Sequence, residues 1–356
     1  MMRFRRLVVA AVVSLSLASA SQAHAQGLTV SLLDRYLDSL RQQSGVPGLA
    51  AALVQDGKVV WERGYGMADV ARSIEVRPDT PFQIGGLTQA LAATVLLEQC
   101  VETGHLHLDD KVQQWVPSFG EADPTITDLL AHRSSGGTYK FDAARFAQLT
   151  GAIEACVRKT PQPIREIIAE GLFERLAMFD SVPSQDVADG SADDRAIFSD
   201  DQLARFNADL SRLARSYKVS NGSASVTTST PTGLTAASGA ISTVRDLARF
   251  DAALDDAVLL HRDTMATMWS PATATNGTAM PTGLGWFVQS YSGERVHWQF
   301  GVVRDAYSSL IVKIPGKHLT LILLANSDGL SAPFALQDGD VNASLFARAF
   351  LRLFVG

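Results

Sequence analysis

One short stretch of this sequence holds side chains that could act as a nucleophile and its base, and Thr88 is a further hydroxyl outside it. Ser134 and Ser135 precede two glycines, and Lys140 follows them. A serine hydroxyl becomes nucleophilic when a neighbouring base takes its proton, and a lysine amine can be that base. Serines in a glycine turn and single lysines are more often solvated surface residues. The stretch therefore allows a serine nucleophile but does not by itself predict one.

A second group of candidates has the spacing of metal ligands. Two imidazoles alternate with leucines ahead of two carboxylates in the run His105-Leu106-His107-Leu108-Asp109-Asp110. Alternate side chains of a strand share one face, so both imidazoles could bind one zinc ion. The same residues are common in a solvated turn after a helix. We favour the turn, and we expect neither a metal nor another cofactor.

The first 25 residues have the composition of a secretory signal peptide. Arginines precede an apolar run at residues 7–17, and small residues follow up to Ala25. This order of basic, apolar and small residues predicts cleavage before Gln26 and a secreted or periplasmic mature protein. The apolar run is too short to cross a bilayer comfortably, so we expect no membrane span after processing.

The composition is that of a globular protein. The chain has 356 residues, of which 46% are apolar and 19% are charged, enough to form a sizeable core and too apolar for intrinsic disorder. Its length favours about two domains. The formal net charge is −6, and no basic stripe is visible. We therefore expect no nucleic acid as a partner.

The cysteines, Cys100 and Cys156, both lie in apolar stretches of helical character. Export to an oxidising compartment would permit a disulfide between them. A disulfide requires Cα atoms within about 7 Å of each other, and the sequence does not give their separation. A disulfide and two buried thiols therefore stay open as alternatives.

Strand-like runs occupy both ends of the mature chain. Residues 49–54 and 58–63 flank Asp56-Gly57, a strong hairpin signal because this turn requires positive φ. Four more strand-like runs lie near the C-terminus, at 284–290, 295–300, 306–313 and 319–325. Helices are predicted outside these strands, at 30–43 and 342–354.

The middle of the chain is mostly helical by pattern, with predicted helices at 88–103, 126–131, 143–159, 164–176 and 243–254. Residues 219–234 are rich in Ser, Thr and Gly and are predicted to form a loop. We predict an α/β (α+β) fold with an antiparallel sheet flanked by terminal helices, built from residues 26–85 and 281–356. A helical lobe, 86–280, would pack beside it and leave a binding cleft at the seam.

One segment resembles a known motif. The stretch Pro81-Phe82-Gln83-Ile84-Gly85-Gly86-Leu87-Thr88-Gln89 is similar to the Phe-x-Ile-Gly-Ser-x-x-Lys segment of serine β-lactamases, DD-peptidases and related esterases. Further segments resemble the family in the same order, at 104–110, 126–136, 172–178 and 237–249. The resemblance covers essentially the whole mature chain, and it implies a β-lactamase/DD-peptidase-like fold.

The resemblance also implies which residues should catalyse. In the family, the motif serine attacks an acyl carbon, and a lysine three residues later manages its proton from the same helix face. This chain has Gly86 and Gln89 at those positions. Glycine offers no nucleophile, and a carboxamide is not a useful base near neutral pH.

Two further motif positions are replaced as well. The family tyrosine aligns with Phe141, or with Tyr139 if the loop is shifted. The family lysine or histidine before x-Gly aligns with Gln299. Loss of the nucleophile alone lowers turnover roughly a million-fold in a serine hydrolase. The three replacements together predict that the covalent mechanism is lost.

Backbone donors do not depend on side chains. The resemblance implies that the family oxyanion hole survives at the N–H groups of Gly86 and Val302, bordered by Gly301 and Tyr139. Such a site could hold a carbonyl or a carboxylate. We expect a secreted, non-catalytic homologue that binds a small acyl or peptide ligand, or a protein partner. The alternative is an active hydrolase that uses one of the two serines named above.

Overall fold

The computed structural model describes residues 27–121, 124–156, 162–228 and 233–356. The predicted signal peptide, residues 1–25, lies outside this part of the chain, as does the end of the helix predicted over 143–159. None of the helices in the described ranges combines the length and apolar character needed to cross a membrane.

The described residues form strands at both ends of the chain and in its middle, and seven of these strands make one sheet. The strands are β1 Gly48–Gln55, β2 Lys58–Asp69, β3 Ile74–Glu75, β4 Phe82–Gln83, β5 Tyr217–Ser220, β6 Ser223–Val226, β7 Ile241–Ser242, β8 Phe287–Tyr291, β9 Glu294–Val303, β10 Tyr307–Ile314 and β11 Leu319–Ala325. In the described part of the chain, an antiparallel seven-stranded sheet has the order β3-β2-β1-β11-β10-β9-β8. The predicted turn between β1 and β2 forms, with φ of 50° at Asp56 and 69° at Gly57.

Helices cover both faces of this sheet. They are α1 at residues 27–43, α2 Thr88–Leu96, α3 Val112–Trp115, α4 Ile126–Leu130, α5 Ala143–Ala147, α6 Leu149–Cys156, α7 Ile164–Ile168, α8 Ala192–Ile197, α9 Asp200–Ser211, α10 Val244–Asp255, α11 Arg262–Met268 and α12 Leu345–Phe354. Leu53 of β1 shares a core with Leu37 of α1 and Phe350 of α12. Its neighbour Ala52 points to the other face and shares a core with Leu91 of α2.

Coverage on both faces explains why the central strands are buried along their length, since a strand with one face in solvent would alternate between buried and exposed residues. Every residue of β10 and β11 is buried. The arrangement confirms the predicted fold class, an antiparallel sheet with terminal helices on one face and a helical lobe on the other. The domain boundaries at 85/86 and 280/281 stay a prediction.

A buried ion pair ties the helical lobe to the sheet. The Lys313 Nζ atom on β10 lies 2.9 Å from Asp251 Oδ1 and 2.7 Å from Asp255 Oδ1, both on α10. Lys313 and Asp251 are fully buried. Removing one member of such a pair leaves an uncompensated buried charge, so the pair fixes α10 against the sheet.

One sequence prediction was wrong in the middle of the chain, and one helix there was not predicted. Residues 219–234 are not only a loop, because β5 and β6 pair there as a hairpin. Its turn is Asn221-Gly222 with φ of 50° and 75°, a pair that readily adopts positive φ and that was overlooked as a turn signal. Helix α9 was also missed, although Ser199 and Gln202 form a capping box at its start.

The two cysteines form a disulfide. Cys100 lies in a π-helical turn, Leu97–Val101, that continues α2, and Cys156 ends α6. Their Cα atoms are 5.7 Å apart, and the bridge closes a separation of 56 residues. The alternative of two buried thiols is therefore excluded for this structure.

The bridge should contribute substantially to stability, because it restricts the unfolded chain. For a loop of this length, we expect reduction to lower the free energy of unfolding by about 4 kcal/mol. Guanidinium unfolding with and without reductant measures the difference. The double variant Cys100→Ala/Cys156→Ala is the control and should not respond to reductant. An unchanged midpoint for the reduced native chain would contradict the prediction.

Candidate functional site

The start of α2 lies against the end of β9 at the seam between the sheet and the lobe. A 3₁₀ turn, Gly85–Leu87, precedes the helix and lies against β9. A Cβ atom added to Gly86 would lie 2.9 Å from the Phe300 carbonyl oxygen. One added to Gly301 would lie 1.9 Å from the Ile84 carbonyl oxygen. The two backbone segments are therefore in direct contact, and glycine at 86 and 301 permits the approach.

This contact brings together three of the predicted binding residues. The Val302 nitrogen is 2.9 Å from the position that a Cβ on Gly85 would occupy, so Gly86 and Val302 lie on facing segments. Gly86 and Val302 are half-buried, whereas Gly301 is buried. The predicted backbone site is thus assembled from the start of α2 and the end of β9.

Gln89 lies one helical turn after Gly86 and is fully buried. Its Oε1 atom is 3.0 Å from Nε2 of His132. The other ring nitrogen of His132, Nδ1, accepts a hydrogen bond of 3.2 Å from the backbone N–H of Asp142. A backbone N–H can only donate, so Nδ1 carries no proton and Nε2 carries it in the neutral ring. The imidazole therefore donates to the oxygen of Gln89.

The ring of His132 is neutral near pH 7. Burial lowers its pKa from 6.5 to about 4, against the opposing effect of Asp142. The ring packs between two phenylalanines, with centroids 4.6 Å from Phe141 and 5.4 Å from Phe146. Neither ring nitrogen is left to accept a proton in the seam, because one lone pair is engaged and the other nitrogen is protonated.

Two short helices position this histidine. A capping box of Thr125 and Asp128 begins α4, and His132 follows the helix with φ of 53°. Asp142 is the N-cap of α5, where its side chain accepts from the Arg145 N–H. The cap fixes the Asp142 backbone, and its N–H thereby holds the ring of His132.

His132 is the residue that sequence reasoning missed. It stands inside the segment 126–136 that resembles the family, but no role was assigned to it. The available signal was an imidazole directly after the buried apolar residues Leu129, Leu130 and Ala131. A polar ring in such surroundings requires hydrogen-bond partners.

Phe141 and Tyr139 are the two candidates for the tyrosine position. Their side chains contact different parts of the structure. Phe141 packs 5.5 Å from the ring of Phe300 and next to His132, with no hydroxyl to contribute. The hydroxyl of Tyr139 donates to the Gln337 carbonyl oxygen, and burial raises the pKa of Tyr139. That hydroxyl is engaged with the segment before α12, while Phe141 is the residue that contacts His132.

Gln299 is buried with both ends of its carboxamide engaged. Its Nε2 atom donates to the Gly285 carbonyl oxygen at 2.9 Å, and its Oε1 accepts the Phe300 N–H at 2.9 Å. A neutral amide held at both ends transfers no proton. Gln299 therefore supports the strand edge beside the seam structurally.

The two candidate serines lie elsewhere. They line a separate cavity of about 350 Å³ together with Arg133 and Arg145. Ser134 donates to the Thr138 carbonyl oxygen at 2.9 Å, and Ser135 is exposed. In the described residues neither serine hydrogen-bonds to a lysine or a histidine, and Lys140 is exposed. This arrangement gives no activated hydroxyl.

The alternating histidines are also dispersed. His105 Nδ1 lies 2.8 Å from the Thr103 hydroxyl, and the backbone N–H of His107 donates to Asp110. Across the four described ranges, no group of three or more His, Cys, Asp or Glu residues has an arrangement that could hold a metal ion.

The fold and the sequence both have known relatives. The family model described as Beta-lactamase matches residues 33–343. The chain is 35% identical over 106 residues to the serine beta-lactamase-like protein LACTB, mitochondrial, of Homo sapiens, which covers 28% of this chain and 19% of that protein. It is 29% identical over 133 residues to the teichoic acid D-alanine hydrolase of Staphylococcus aureus, covering 37% of this chain and 32% of that protein.

A solved structure shares the fold. The octameric penicillin-binding protein homologue from Pyrococcus abyssi superimposes with a TM-score of 0.68 at 20% identity, covering 91% of this chain and 77% of that chain. The likeness to the curated relatives is partial, since the matched segments span about a fifth and a third of their lengths.

The close contact at Gly86 predicts that a side chain at this position destabilises the fold. We expect Gly86→Ser to lower the free energy of unfolding by about 1–3 kcal/mol, because the added atoms force β9 and the 3₁₀ turn apart. Gly120→Ser is the matched control, since a Cβ there meets no atom within 4 Å. Urea unfolding measures both. Equal stability of the two variants would show that the seam has room for a serine.

Proposed function

The chain belongs to the β-lactamase family, and we propose that it is a secreted member that binds an acyl or peptide ligand without forming an acyl-enzyme. The observation that carries the proposal is the hydrogen bond between Gln89 and His132. It occupies the place where the family lysine manages a proton, and it offers only an amide oxygen and a protonated ring nitrogen there, neither of which is a useful base near neutral pH. Gly86 supplies no hydroxyl to be activated.

The ligand class follows from what the seam retains. The backbones at Gly86 and Val302 face each other, and backbone N–H groups bind carbonyl or carboxylate oxygens without the help of a side chain. One relative is named for the hydrolysis of D-alanine from teichoic acid. We take an acyl-D-alanine or a D-alanyl peptide as the ligand for this chain.

Secretion is part of the proposal and has two supports. The segment before Gln26 has the basic, apolar and small-residue order of a signal peptide. The bond between Cys100 and Cys156 favours an oxidising compartment, because cytosolic thiols are kept reduced. A periplasmic or extracellular site would also bring the protein to D-alanyl ligands of the cell envelope.

The proposal is tested by looking for covalent and non-covalent binding in the same preparation. We expect no mass increase after incubation with a fluorophosphonate or a fluorescent penicillin, because no nucleophile is activated. We expect N-acetyl-D-alanyl-D-alanine at ten times its Kd to raise the Tm by about 2–4 °C. Intact-protein mass spectrometry and a thermal shift assay measure the two effects.

Two outcomes would contradict the proposal. A stoichiometric adduct mapped to Ser134, Ser135 or any other residue would identify an active hydrolase instead. No shift in Tm with the D-alanyl peptide, up to the solubility limit, would contradict the ligand class. A heat-unfolded sample serves as the control for non-specific labelling.

A further inference from the structure

The direction of the Gln89 carboxamide is determined by its surroundings. The Asp142 N–H donates to His132 Nδ1, so His132 Nε2 must donate to Gln89, and the atom that accepts must be the oxygen. The nitrogen of the same carboxamide is therefore the atom directed away from His132. It is buried and has no hydrogen-bond partner among the described residues.

The unpartnered nitrogen belongs to the side chain that faces the seam. Side chains three residues apart lie on the same face of a helix, and they tilt toward its N-terminus. The carboxamide of Gln89 thus extends from α2, a nine-residue helix, toward the level of Gly86. Gly86 is half-buried at this end, where the seam meets solvent.

A buried donor without an acceptor is costly, and a ligand oxygen that enters the seam would remove this cost. A hydrogen-bond donor on the ligand would not remove this cost, because two donors cannot pair with each other. The charge of the surroundings restricts the acceptor further. Gln89, Gln299 and His132 are neutral, and the charged groups acting on His132 are Asp142 and Arg145, of opposite sign. A carboxylate would be buried here without a countercharge, which is far less favourable than burial of a neutral carbonyl.

We propose that Gln89 is the residue that recognises the ligand, and that its amide nitrogen donates to the neutral terminal carbonyl oxygen of a D-alanyl amide or ester. This inference rests on the proposed function, and it specifies which group of the ligand enters the seam. Gln89 recognises a hydrogen-bond acceptor on the ligand. His132 is the positioning residue, because its bond to the Gln89 oxygen directs the Gln89 amide nitrogen away from the imidazole ring.

The test compares two probes on the full chain at pH 7 by NMR titration. N-acetyl-D-alaninamide ends in a neutral amide, and N-acetyl-D-alanine ends in a carboxylate. We expect the amide to bind at least about tenfold more tightly, in line with the cost of an unpaired buried charge. Both probes share the acetamide carbonyl, so the difference in affinity reports on the terminal group alone. Equal or tighter binding of the carboxylate probe would overturn the assignment of the terminal carbonyl to the Gln89 nitrogen.

Substitution of Gln89 tests the residue itself. We expect Gln89→Met to weaken binding of N-acetyl-D-alaninamide about tenfold, the effect of one lost hydrogen bond. Gln43→Met, on the exposed face of α1, makes the same chemical change and should leave the affinity unchanged. Unchanged affinity in Gln89→Met would overturn the inference while leaving the proposed function standing.

A measurement on the unaltered chain keeps the inference testable if Gln89→Met folds poorly. In protein labelled with ¹⁵N-glutamine, the side-chain amide signal of Gln89 should shift on addition of N-acetyl-D-alaninamide. The signal is assigned by its loss in Gln89→Met or Gln89→Glu. A signal that stays in place while the probe binds would overturn the inference. If the unaltered chain binds neither probe, the proposed function fails, and this inference fails with it.

Discussion

A single backbone donor sets the chemistry of the seam. The N–H of Asp142 takes the lone pair of His132 Nδ1, and this puts the imidazole proton on Nε2 and toward Gln89. The donor is itself held by the N-cap of α5, so a helix start determines a tautomer. The result is a neutral, buried hydrogen-bonded pair at the position where the family resemblance implies a proton acceptor.

The second constraint is steric. The 3₁₀ turn before α2 and the end of β9 touch through their backbones, and glycine at 86 and 301 allows this. A Cβ atom on residue 86 would press on the Phe300 carbonyl oxygen, so a serine there requires a shift of the backbone. The same contact places the segments of Gly86 and Val302 against each other, where we propose that the backbone site lies. The buried pair of Lys313 and Asp251 helps keep the two halves at this distance.

Much of this arrangement was predictable from the sequence, because it depends on local signals. The Asp56-Gly57 turn and the strand-like runs at both ends of the mature chain indicated an antiparallel sheet. The motif positions at Gly86, Gln89 and Gln299 indicated that proton-transfer groups are missing. The contact of Gln89 with His132 could not be predicted, because it joins residues far apart in the chain and depends on side-chain direction. The pairing of the cysteines was undetermined for the same reason.

The tautomer of His132 tests the account most directly. Long-range ¹H–¹⁵N NMR of the histidine rings, assigned with a His132→Gln variant, reports which nitrogen carries the proton. At pH 7 the account predicts a neutral ring with the proton on Nε2 and an unprotonated Nδ1, and this state should persist as the pH falls toward 5. A neutral ring with its proton on Nδ1 would contradict it, because Nε2 would then accept from Gln89 and the carboxamide would be reversed. A charged ring at pH 7 would also contradict it, because a protonated Nδ1 could not accept from the Asp142 N–H.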